Sequence, residues 1–282
     1  MLNRFSFVFA VFISALPFSH THAAEGKPLR VLLITGGCCH EYSKQKDVLK
    51  NGLESRINAT VDQIHTDDSS THPALAFLGN ADYAKGYDLV IHDECGADIS
   101  DPAVVQNVLA PHRAGIPGVN LHCAMHSYRI GNPNDPATLG TPHGFWFEYL
   151  GVQSSAHGPQ KPISITYTNK ENPIVRGFAD WTTVNEELYN NIRIFDGVTP
   201  LARGEQTYSD RNGTQKTNNF VVVWSNQYGP KKTRVFSTTI GHNTSTVADA
   251  RYLDLVARGV LWATAHLDPD GTPAAGFGRS LK

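Results

Sequence analysis

The stretch LRVLLITGGCCHE, Leu29 to Glu41, decides the fold class. Its first seven residues are a nearly continuous apolar run that stops at Gly36-Gly37. A strand with one wet face alternates polar and apolar residues, whereas a strand buried on both faces does not. The run is therefore an inner strand of a parallel sheet. Gly36-Gly37 belongs to no full G-x-G-x-x-G and to no G-x-x-x-x-G-K-[ST], so it reads as a tight strand-to-loop turn rather than a phosphate cradle.

Moving outward, the same grammar repeats. Ser43 to Arg56 has helix-forming composition, with Val48, Leu49 and Leu53 on one side. Thr60 to His65 and Tyr87 to Glu94 are further strands. Asp101 to His112 is a helix, with Asp101 as N-cap and Pro102 at the first position. GIPGVNLHC, Gly115 to Cys123, is a fourth strand. Strands alternating with helices imply βαβ crossovers and a mostly parallel sheet. Residues 130–160, rich in Gly, Pro, Asn and aromatics, read as long loops. Ile163 to Thr168 alternates like a strand, and Phe220 to His242 as two strands around a turn at Tyr228 to Lys231. Val247 to His266 is an amphipathic helix with Leu253, Val256, Val260 and Leu261 near one face. The Gly/Pro-rich tail after Asp268 is expected to be loose. With no repeat and no linker, the chain has one domain.

The 282 residues, 40% hydrophobic and 18% charged, suffice for one large α/β core. A net charge of -2 with no basic stripe argues against a nucleic-acid partner. Residues 1–23 read as a secretory signal: Arg4 is the positive start, Phe5 to Leu16 the apolar core, and Thr21-His22-Ala23-Ala24 the small-residue cleavage region. That core is too short to span a bilayer comfortably. The domain at 24–282 is then exported, periplasmic or secreted, with no membrane association after cleavage. The sequence sets no oligomeric state.

Export places the four cysteines in an oxidising compartment. A bridge between adjacent Cys38 and Cys39 would be strained. The expected bridge therefore joins Cys38 or Cys39 to Cys95 or Cys123, although spacing alone does not choose among pairings.

Ligands of parallel sheets bind beyond the carboxyl ends of the strands. Three such ends carry polar groups: His40-Glu41, His92-Asp93-Glu94-Cys95, and His122-Cys123-Ala124-Met125-His126. One histidine there is ordinarily a cap or a satisfied buried ring. Histidines at several strand ends point to a site. His122, Cys123 and His126 are candidate metal ligands. The soft donors suit copper, with zinc the alternative, and a bridged Cys123 would remove the best ligand. A divalent metal is thus open as a cofactor.

Five segments together resemble the ThuA-like family of the class I glutamine amidotransferase-like superfamily: ITGGCCHEY (34–42), GVNLHCA (118–124), HGFWFEYLGVQSSAHGP (143–159), NPIVRGFADWTTVNEELY (172–189) and RVFSTTIGHN (234–243). The resemblance spans about residues 29–266. It implies a flavodoxin-like three-layer α/β/α sandwich. It carries family positions onto His40, His122, His157, Glu186-Glu187-Leu188-Tyr189 and Gly241-His242. The Cys38-Cys39 pair is foreign to the pattern, and Cys123 stands where relatives often have serine. A glutamine amidotransferase places its nucleophile in G-x-C-x-G. Here His122 takes the cysteine slot, Ala124 the next glycine slot, and Cys123 falls one position late, so glutaminase and thiol-hydrolase chemistry are excluded.

A histidine-lined pocket with acidic and aromatic groups suits a carbohydrate. The expectation is acid/base chemistry, hydrolysis or elimination, on a sugar or keto-sugar derivative. His122 and His242 form the proton-transfer pair with Glu187, while His40, His157, Tyr189 and Trp146 bind substrate. Two alternatives stay open: a non-catalytic carbohydrate-binding module, and a copper or zinc protein.

Overall fold

The computed structural model describes residues 26–279, and the expected signal sequence lies outside them. The first half follows the reading above. β1 (Leu29–Gly37), α1 (Tyr42–Glu54), β2 (Ala59–Thr66), β3 (Leu89–Cys95), α2 (Pro102–Ala114) and β4 (Gly118–Leu121) succeed one another. β1 lies between β2 and β3, parallel to both, and β3 is parallel to β4. The α2 ends are set by sequence: the Asp101 side chain accepts from Ala103 N at 2.7 Å, and Gly115 closes the helix at φ 109°.

Both faces of β1 are buried, as its apolar run required. Leu29, Val31 and Leu33 join one core with Leu49 and Leu53 of α1, and Leu32 and Ile34 join another with Val105, Val108 and Leu109 of α2. Each such side chain contributes roughly 1.5–3 kcal/mol by leaving water. Gly36 and Gly37 are fixed by space. They stand at φ 131° and 97°, and a Cβ on Gly37 would sit 2.2 Å from the Cys95 carbonyl oxygen.

The second half departs from the expected mostly parallel sheet. α3 (Phe145–Leu150) precedes β5 (Val152–Tyr167), β6 (Trp181–Ile194), β7 (Thr199–Ser209), β8 (Gln215–Tyr228) and β9 (Thr233–Thr238), and α4 (Thr244–Val247) and α5 (Ala250–Ala263) follow. The nine-stranded sheet runs β2-β1-β3-β4-β9-β8-β7-β5-β6. β9 pairs parallel with β4, but from β9 through β8, β7 and β5 to β6 every pairing is antiparallel. The molecule is thus a mixed α/β sheet with a parallel half and an antiparallel half. Residues 152–160, expected as loop, are the first part of β5. Gly158, Pro159 and register shifts between Gln153 and Gln160 hid that strand. Glu186 to Tyr189 lie within β6, not between strands. The tail is also held: Asn58 N donates to Phe277 O at 2.9 Å, and Ile57 bridges Gly278.

Candidate functional site

β4 ends at Leu121, and the chain turns sharply into a short 3-10 helix, His122–His126. His122 makes this turn with φ 40°, in the left-handed region that non-glycine residues seldom adopt. Such backbone costs on the order of 1–3 kcal/mol and gathers at functional sites. A histidine therefore occupies a strained strand-to-helix turn at the end of β4. His122 Nδ1–H donates to the Thr239 carbonyl at 2.7 Å. That bond fixes the ring orientation and leaves Nε2 facing the Tyr189 hydroxyl at 3.4 Å and Glu187 Oε2 at 3.6 Å.

Two further turns bring histidines to the same place. His40 follows β1 and the left-handed Cys39 (φ 83°). Its ring meets the rings of His122 and His242 edge-on, both with centroids 4.7 Å away. Burial pushes the His40 imidazole down to about 2, and the His122 and His242 charges act the same way, so it is neutral. His242 follows β9. Buried Glu186 grips that loop by accepting from the backbone N–H groups of Gly241 (3.3 Å), His242 (2.9 Å) and Asn243 (2.9 Å). Gln45 of α1 donates to the His242 carbonyl at 3.0 Å.

Glu187, next along β6, is the hub. Its Oε2 lies 3.4 Å from His242 Nδ1, 3.6 Å from His122 Nε2 and 3.7 Å from His157 Nδ1. Burial alone would raise the Glu187 carboxyl, but the bonds and charges of these histidines outweigh it and hold the group well below the carboxylate range. Reciprocally, the Glu187 carboxylate raises His242. Glu187, His40, His157 and His242 border an open cavity of about 370 Å³, walled also by Arg129, Gln160 and Tyr189, with His122 buried behind them.

The structure corrects several sequence expectations. Trp146 is 1% exposed and donates its indole N–H to Ala124 O at 2.8 Å, so it packs the core and touches no cavity. The candidate metal set His122, Cys123 and His126 does not form. Cys123 is bridged to Cys95, and the His126 ring lies flat on Tyr189 (4.0 Å) with Nε2 on the Ser154 hydroxyl (2.9 Å). Burial, then the charge of Arg129, holds His126 well below its ordinary range. The bridges are Cys38–Cys39 and Cys95–Cys123 rather than one between these pairs. The left-handed Cys39 lets adjacent side chains meet, while Cys38 Sγ stays 3.5 Å from Cys95 Sγ. His92 and Glu94 do not converge on the cavity either. Strand alternation turns them into the core, where His92 bonds Glu94 (2.7 Å) and His112 (3.0 Å).

His40, His122, His157, Glu187, Tyr189 and His242 are brought together as expected. Gln45, Gln160 and Arg129 were missed, and Glu186 was marked without its role. The adjacent carboxylates of N-E-E-L-Y were visible, but only the alternation of β6 shows that one clamps a loop and the other faces the cavity. Among the described residues, the ring nitrogens of His40, His122 and His242 lie within 4.8 Å of one another and could hold a cation. The similar group Cys38, Cys39 and Cys95 has its sulfurs engaged in bridges.

The parallel half carries a histidine at the sharp turn after β4. The profile of the ThuA family, described as trehalose utilisation, matches residues 30–263, and the chain belongs to that family. Its structure is similar to a ThuA-like protein from Parabacteroides merdae, at 21% identity over 89% of this chain and 97% of that one, with a TM-score of 0.59. A ThuA-like protein from Bacteroides uniformis is 16% identical over 91% and 100% of the two chains, with a TM-score of 0.56. Among curated proteins, none matches the chain in sequence.

Proposed function

We propose that this protein is an exported enzyme acting on a sugar or keto-sugar derivative by general acid/base chemistry, either hydrolysis or elimination. One observation carries the reading: a single carboxylate oxygen of Glu187, at the wall of an open cavity, stands 3.4–3.7 Å from three imidazoles, of which His157 and His242 also line that cavity. Such a cluster can take a proton from water, or from carbon beside a keto group, and return one to a departing sugar oxygen. Arg129, Gln160, His157 and Tyr189 supply donors and acceptors of the kind sugar hydroxyls need. The cavity, about 370 Å³, is in the size range of small-molecule sites. The family description supports a sugar as substrate. Helices packed on both faces of the parallel half support the flavodoxin-like three-layer core.

The test is incubation with a panel of disaccharides and their keto derivatives, followed by NMR. New product resonances support the enzyme. Shifted sugar resonances without product would leave a binding module, and neither effect would sink the carbohydrate reading.

A further inference from the structure

We propose that His40, His122 and His242 together bind one divalent transition-metal cation of the zinc class on the wall of this cavity. Three separate turns deliver the rings: the one after β1, the β4 elbow and the loop after β9. Their ring nitrogens lie within 4.8 Å of one another. Bonds of about 2.1 Å in a tetrahedral set would place such nitrogens roughly 3.4 Å apart, a difference that side-chain rotations of about an ångström close.

Hydrogen bonding points the same way. His40 Nδ1 is buried with no hydrogen-bond partner, and His242 Nδ1, buried beside it, faces only the Glu187 carboxylate at 3.4 Å. An unpaired buried polar atom is rare and costly, and the one on His40, set among two further imidazoles and a carboxylate, marks a missing partner. The third histidine is already set as a ligand. A backbone carbonyl holds His122 Nδ1–H, which turns Nε2 inward, as outer-shell carbonyls orient metal-bound imidazoles. Glu187 Oε2, 3.4 Å from His242 Nδ1 and 3.6 Å from His122 Nε2, offers an anionic fourth ligand or a base for a bound water. Imidazoles and a carboxylate, with the thiols spent in bridges, favour zinc over soft copper(I).

The inference shares the cavity of the proposed sugar enzyme and deepens that reading. With the cation present, His122 and His242 are ligands, and proton handling falls to Glu187 and His157. A bound water would be made acidic enough to serve near neutral pH.

The test is metal binding without substrate. Protein carrying no polyhistidine tag is stripped with chelator, equilibrated with Zn²⁺, and analysed for metal. About one zinc per chain is expected, with affinity at least tenfold weaker in His40→Ala and in His242→Ala and retained in His126→Ala. Wild-type protein loaded with Co²⁺ should show the visible bands of nitrogen- and oxygen-ligated cobalt, a readout independent of how the variants fold. No bound zinc, zinc retained at full affinity in both His40→Ala and His242→Ala, or a sulfur-to-cobalt charge-transfer band would each overturn the site. Loaded protein that turns over no sugar would sink the sugar reading alone, and metal-free protein that does would sink the cation alone.

Discussion

At the residue scale, histidine identity was legible and histidine role was not. The positions of His40, His122, His157 and His242 stood out in the sequence, but His92, His112 and His126 look no different there. Only three-dimensional partners separate them. His112 illustrates the structural kind. Its Nδ1–H donates to the Ile116 carbonyl at 2.8 Å, its Nε2 meets His92 at 3.0 Å, and its ring stacks on Tyr149 at 4.5 Å. Burial, then the His92 charge, pushes it down from 6.5 to about 3. An unfolded His112 would protonate near 6.5 while the folded one stays neutral. Its contribution is therefore complete above that pH and is lost as the pH falls through 6.5 toward 3. Urea unfolding at pH 7.5 and pH 5 measures it: the wild type should lose about 1–2 kcal/mol more than His112→Gln. An equal loss in both proteins would assign the acid sensitivity elsewhere.

At the element scale, strands with continuous apolar runs declared themselves, and so did the capped α2. β6, β7 and the first part of β5 did not. Their polar alternation, prolines and bulges mimic loop composition, and antiparallel pairing at the wet end of a sheet tolerates all three. That blind spot hid the coupling between β6 and the loop after β9. The Glu186 carboxylate accepts from three consecutive backbone N–H groups of that loop, and it is 0% exposed. Glu186→Gln keeps the shape but replaces one acceptor oxygen with a donor and removes the charge. It should cost about 2–3 kcal/mol by denaturant unfolding. Amide exchange at Gly241, His242 and Asn243 should accelerate more than in the core strands. Unchanged exchange at these amides would show that the loop is held by other contacts, such as Gln45.

At the scale of the whole molecule, the α/β class was readable because β1 and its neighbours fix the parallel half. The antiparallel half, which brings Glu187 and His157 to the site, was not. The cysteine pairing also depended on geometry no spacing reveals, since all four sulfurs lie close together and the vicinal bridge needs the left-handed Cys39. For a protein exported from its native host, intact-mass and peptide mapping should find a chain beginning near Ala24, with the bridges Cys38–Cys39 and Cys95–Cys123. A retained Phe5-to-Leu16 segment would contradict export, and a peptide joining the two pairs would contradict the bridging. The central claim, that Glu187 and its histidines move protons on a sugar, is tested most directly by progress curves on any sugar the NMR panel selects. Wild type is set beside Glu187→Gln and beside Glu171→Gln, an exposed control paired with Arg176. The account predicts that Glu187→Gln, still folded by circular dichroism, slows product formation by about 100-fold or more while Glu171→Gln matches wild type. Glu187→Gln at wild-type rate would contradict it.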